Sequence, residues 1–234
     1  MRTLTVVIAL LAIFVIGCGS DGAARAQTGD ADPRPVCPNP HGGECLGPLD
    51  AGTYTTVTFS PTITYTVPAG WTNGEDLPGN FLLQLEGDSR YLGIYRDANV
   101  PDGCAEHPDP DVSQSVSDYT RWLRRHPLLR ATKPIPVSLG GLHGVAIDIS
   151  KAPGTEGEGC TYEETITGAV PFIVGGRGPA SLHHVIMDGW KERLYLLRYK
   201  RGNVAIEVGP EGASLPEYLK EIRPILRSLR FAKD

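Results

Sequence analysis

The chain has 234 residues, 41% of them hydrophobic, with 22 Lys and Arg against 27 Asp and Glu and a formal net charge of −5. This balance leaves no basic stripe for nucleic acid. The length suits one domain with a sizeable core plus short extensions.

Met1-Arg2 precede an apolar run from Leu4 to Ile16 that breaks at Gly17-Cys18-Gly19-Ser20, the layout of an export signal. As a helix the run reaches only about 20 Å, short of the roughly 30 Å hydrocarbon core. It therefore predicts a leader over residues 1–17 that is removed. Val15-Ile16-Gly17-Cys18 resembles the bacterial lipobox, in which the cysteine is acylated and becomes the new N-terminus. The resemblance implies a lipoprotein carrying palmitate at Cys18, held on the extracytoplasmic face of the cell membrane. A competing A-x-A motif, Ala24-Arg25-Ala26, would instead release a secreted protein starting at Gln27, but it stands well beyond the apolar run. Removing residues 1–17 takes Arg2 from the 22 basic residues and leaves a net charge of −6. No polybasic segment is present to hold anionic lipid, so the lipid anchor is the expected membrane contact.

With Cys18 acylated, Cys37, Cys45, Cys104 and Cys160 remain, an even number that in an exported chain predicts two disulfides. The favoured pairs are Cys37–Cys45 and Cys104–Cys160, with other connectivities open. A four-cysteine zinc site is disfavoured because no C-x-x-C pair occurs. Residues 18–48 are rich in Gly, Pro, Asp, Ala and Asn and almost lack large apolar side chains. They read as a flexible tether.

Residues 49–234 read as one domain. Runs of alternating β-branched and aromatic residues predict strands at Tyr54 to Phe59, Ile63 to Val67, Phe81 to Leu85 and Tyr91 to Tyr95. Val145 to Ile149, Val170 to Val174, His184 to Met187, Arg193 to Tyr199 and Asn203 to Val208 continue the series. Short connections such as Lys200-Arg-Gly-Asn203 predict hairpins and an antiparallel sheet. Two helices are expected. Ser115-Val-Ser-Asp118 caps one whose apolar face carries Val116, Tyr119, Trp122 and Leu123, and His126-Pro127 stops it. Ser214-Leu-Pro-Glu217 opens the other, with an apolar stripe of Leu219, Ile222, Ile225, Leu226 and Leu229 kinked at Pro224. The expected class is α+β, a mainly antiparallel sheet covered by amphipathic helices.

Ile63-Thr-Tyr-Thr-Val-Pro-Ala-Gly-Trp71 resembles the opening of PsbP-like domains. Similar too are Trp122-Leu-Arg-Arg-His-Pro-Leu-Leu129, Leu139-Gly-Gly-Leu-His-Gly144 and Pro224-Ile-Leu-Arg-Ser-Leu-Arg-Phe231. The resemblance extends to envelope lipoproteins of this kind, including the mycobacterial LpqN type. It implies a PsbP-like sandwich with a binding or assembly role, and it carries over no catalytic residue.

The motifs for chemistry are sparse. There is no G-x-S-x-G, S-x-x-K or H-E-x-x-H. Gly175-Gly-Arg-Gly178 lacks a following G-K-[ST] and reads as a turn, and the prolines around Asp109 and Asp111 favour a rigid connection over a calcium loop. His183-His184 with Met187 suits a soft metal, and His143 with Glu163 or Glu164 would complete a site. However, neighbours on a strand point to opposite faces, so the two histidines cannot share one ion there. The reading is therefore of a non-catalytic module with no cofactor or metal, binding an envelope protein or small ligand. Trp71, Tyr95 and Trp190 are the candidate binding residues. The alternative is an envelope hydrolase or metal-binding protein using His183/His184 with His143 and Glu163/Glu164. It requires those side chains to converge, whereas the binding reading requires an aromatic groove.

Overall fold

The computed structural model describes residues 48–162, 166–175 and 183–232. Chain order runs β1 (Pro48–Leu49), β2 (Gly52–Thr55), β3 (Ile63–Val67), β4 (Trp71–Asp76), β5 (Asn80–Leu85), β6 (Tyr91–Arg96) and helix α1 (Val116–Arg125). Next come β7 (Leu129–Ala131), β8 (Ile135–Leu139), β9 (Leu142–Lys151), β10 (Cys160–Tyr162), β11 (Ile166–Val174) and β12 (His183–Ile186). The chain continues through β13 (Lys191–Tyr199), β14 (Gly202–Gly209), α2 (Leu215–Glu221), α3 (Arg223–Ser228) and β15 (Arg230–Phe231).

A nine-stranded sheet runs in the order β1-β4-β5-β6-β14-β13-β9-β7, with β8 also paired to β9. Its middle strands are buried on both faces. Asn203 to Gly209 of β14 are all buried, so alternate residues feed two separate cores. On one face Leu92, Ile94, Leu197, Val204 and Ile206 pack with Ile63, Tyr65, Tyr218 and Phe231 from β3, α2 and β15. On the other, Ile147, Leu194, Leu196 and Ala205 meet Tyr119 and Leu123 of α1 and Val170, Phe172 and Ile186 of β11 and β12.

This architecture corrects the expected α+β class. Among the described residues strand accounts for 48% and helix for 13%, and every strand pairing is antiparallel. Much of the cover comes from two three-stranded sheets, β10-β11-β12 and β15-β3-β2. The helices are short, at ten, seven and six residues. The second expected helix is divided, because Pro224 lies in the first turn of α3 and the chain restarts at Ile222. Its end then leaves helical geometry at Leu229 to form β15.

Local chemistry explains other departures. The run from Tyr54 stays strand only to Thr55, because the backbone then curls around the buried Asp76 carboxylate. That group accepts from the amides of Val57, Thr58 and Phe59 at 2.6, 3.2 and 2.7 Å. Strand β4 contains Asn73, Gly74 and Asp76, poor strand formers, and is held by pairing to β5 around a register shift between Asn73 and Glu75. By contrast α1 follows its sequence signals: Ser115 Oγ accepts from the Asp118 amide at 3.1 Å, and Arg124 and Arg125 occupy the last turn. Ser214 of α2 makes no such side-chain cap. Cys104 and Cys160 form a disulfide with Cα atoms 5.5 Å apart, joining the connection after β6 to β10. The Cys18, Cys37 and Cys45 expectations lie outside the described residues, as does the tether up to residue 47. No described helix is long and apolar enough to cross a membrane.

Candidate functional site

The second face of the central sheet carries an unusual set of polar groups. Alternation places Tyr91, Gly93 and Tyr95 of β6 on that face, and register sets Gly93 opposite Glu207 of β14. Leu194 of β13 also pairs with Glu207, so Glu192, two residues earlier, shares the face. Glu192 and Glu207 are fully buried. Strand β12 crosses above and lowers one side chain, His184, onto this floor.

His184 Nδ1 lies 2.9 Å from Glu207 Oε2, and its Nε2 is 2.7 Å from the Tyr95 hydroxyl. The Tyr91 hydroxyl donates to Glu207 Oε1 at 2.7 Å. The rings of Tyr91 and Tyr95 sit 5.7 and 4.8 Å from the imidazole. Two glycines make room for these tyrosines. A Cβ at Gly93 would stand 2.1 Å from the Tyr95 hydroxyl, and one at Gly209 would stand 2.3 Å from the Tyr91 ring.

The electrostatics follow from burial and contact. Burial pulls His184 toward neutrality, but the Glu207 carboxylate outweighs it, aided by Glu75 and Glu211, and the ring binds its proton more tightly than an ordinary histidine. Burial pushes Glu207 upward, yet the facing imidazolium overcomes this and holds it below the usual carboxylate range. Glu192 goes the other way. Burial, then repulsion from Glu207, raises it well above that range. Among the described residues no N–H or hydroxyl reaches either Glu192 oxygen. Two carboxyls can bond to one another only when one carries a proton, and here Glu192 carries it. The arrangement is thus an imidazolium–carboxylate pair beside a neutral acid, with both tyrosines kept neutral by burial.

A pocket of ≈ 260 Å³ opens onto this group. Leu82, Tyr91, Val185 and Trp190 wall it, and Gln84, His184 and Glu211 supply its polar atoms. A larger depression of ≈ 410 Å³ lies beside α1, lined by Trp122, Arg121, Arg125 and His126 among others. Its charges are surface ones, such as the exposed Arg121–Asp118 pair at 2.6 Å, and it reaches no buried ionised group. The chemistry therefore favours the smaller pocket.

Of the candidate binding residues, Trp190 lines the pocket and Tyr95 bonds the imidazole below it. Trp71 is 2% exposed and belongs to the core on the opposite face of the sheet. His143 lies on the β8–β9 hairpin, exposed, with Nδ1 2.6 Å from Ser138 Oγ. Its Ser138 contact, rather than His184, is what holds it. Glu163, Glu164 and the His183 side chain lie outside the described residues. No group of three metal-ligating side chains forms among the described residues. Asp109 Oδ1 accepts from the Asp111 amide at 2.9 Å, a turn rather than a cation loop. Sequence reading missed Glu207 and Glu192. The available signal was a glutamate inside Val204-Ala-Ile-Glu-Val208, a run otherwise wholly apolar.

No protein-family model matches the chain, and no curated protein matches it.

Proposed function

We propose that the chain is a bacterial envelope lipoprotein whose extracytoplasmic domain is a non-catalytic binding module, with its ligand site in the pocket above His184. The lipid at Cys18 holds it to the cell membrane, and a tether of roughly 30 residues gives an average reach of about 30 Å. The observation that carries the reading is that both imidazole nitrogens are already engaged, one by Glu207 and one by Tyr95. The hydroxyl that meets Nε2 belongs to a buried tyrosine whose burial opposes ionisation, so no exposed nucleophile stands against the ring. The ring instead fixes the floor of an aromatic-walled pocket. The PsbP-like resemblance fits the same role and rests on its motifs alone.

The alternative, an envelope hydrolase or metal-binding protein, keeps one supporting observation, the contact between His184 and a buried carboxylate. Mass spectrometry of protein gently extracted from its own envelope separates the two. The binding reading expects a denatured mass for a lipid-modified chain starting at Cys18, and a native mass with an added small molecule that is lost in Trp190→Ala. A chain starting at Gln27 removes the lipoprotein assignment. A bound transition metal gives first place to the alternative.

A further inference from the structure

The chemistry of the pocket narrows what it takes. Two aromatic side chains, Trp190 and Tyr91, stand on its walls, with Leu82 and Val185 completing an apolar lining. Its one basic group, His184, is matched by Glu207 directly beneath it. Glu211 then adds a carboxylate at the pocket itself, half-buried and with no hydrogen bond or ion pair among the described residues. The surplus charge at the opening is negative. Further unmet polar groups lie on the same face. Asn80, on β5 in line with Leu82 and Gln84 of the wall, is fully buried with neither amide atom bonded among the described residues. A carboxylate and aromatic rings at a small pocket are what a cation with an apolar coat selects, since the rings attract the charge and the carboxylate neutralises it. An anion would meet Glu211 with no unpaired basic group to answer it.

We propose that this pocket binds a small organic ammonium ion, its charged nitrogen between Trp190, Tyr91 and Glu211. This rests on the reading of the pocket as the ligand site. At ≈ 260 Å³ the space equals that of about nine waters, enough for a compact head group.

Three probes of one shape test it: choline, its neutral counterpart 3,3-dimethylbutan-1-ol, and the anion 3,3-dimethylbutanoate, each titrated calorimetrically into the full chain. Choline is expected to bind about tenfold more tightly than the alcohol, and the anion not at all. Glu211→Gln, a change in a half-buried turn, should erase most of that preference while leaving the alcohol unaffected. Trp190→Ala should weaken both. Equal binding of choline and the alcohol, or unchanged choline binding in Glu211→Gln, overturns the ammonium proposal while the pocket stands as the site. Binding by none of the three also overturns it. The pocket reading itself falls, separately, if the small molecule carried from the envelope survives Trp190→Ala.

Discussion

Glu192→Gln is expected to make the protein more stable at neutral pH, because Glu192 is an acid held protonated in the fold. Its carboxyl ionises near 4.5 in an unfolded chain, and burial with the adjacent Glu207 carries it well above that. Between those two values the folded state binds one proton more than the unfolded state, so stability falls as pH rises. The slope across that interval is about 1.4 kcal/mol per pH unit for one proton. Glutamine keeps the shape and offers an amide N–H to Glu207 without any proton to acquire. The variant should match the wild type near pH 4.5 and exceed it increasingly as pH rises above that value. Urea unfolding followed by tryptophan fluorescence at several pH values measures this. His184 contributes in the same direction in both proteins. Its raised affinity for a proton gives stability that is complete below the unfolded value near 6.5 and is lost as pH rises through the folded one. A variant less stable than the wild type at pH 7, or a difference independent of pH, would refute a protonated Glu192.

Other perturbations have defined outcomes. Gly93→Ala forces the Tyr95 hydroxyl away from a Cβ that would stand 2.1 Å from it, costing about 1–3 kcal/mol. Chemical unfolding reads that loss, and Gly93→Ala with Tyr95→Phe should recover part of it. Replacing Cys104 and Cys160 by serine together opens a loop closed at a sequence separation of 56 residues. By the chain-entropy relation that costs about 4 kcal/mol, and thermal melting with and without reductant should bracket it. Ser115→Ala removes the α1 cap and should cost about 1 kcal/mol. Ser214→Ala should be nearly silent, since Ser214 caps nothing, and paired melting curves compare the two.

Strands whose residues alternate cleanly were readable from sequence. Ile63–Val67 and Lys191–Tyr199 present branched and aromatic side chains to a core at every second position, and little else is needed to define them. Trp71–Asp76 has no such pattern. Its strand state comes from its partners β1 and β5, which the local sequence does not contain. The helix expected over Leu219 to Leu229 shows the opposite failure. The apolar spacing was real, and Ile222, Ile225, Leu226 and Leu229 are all buried, but Pro224 let the chain satisfy it with two short turns and a strand.

The site divides in the same way. That only one of His183 and His184 faces a given side follows from strand geometry, and His184 does turn onto the sheet. Its acidic partner was sought at Glu163 and Glu164, whereas the sheet supplies Glu207 from β14. A glutamate in a strand buried on both faces has no room in water, and that mismatch was the readable clue. Trp71 and Trp190 look alike in sequence. The register of β4 places the first in the core, and the turn before β13 places the second at the pocket wall.

Amide hydrogen exchange of the full chain, with and without the small-molecule fraction of the cells that produce it, tests the site most directly. The account predicts slowed exchange at β12 and around Trp190, in wild type but not in Trp190→Ala. Protection confined to the α1 depression around Trp122, or none in either protein, would contradict it.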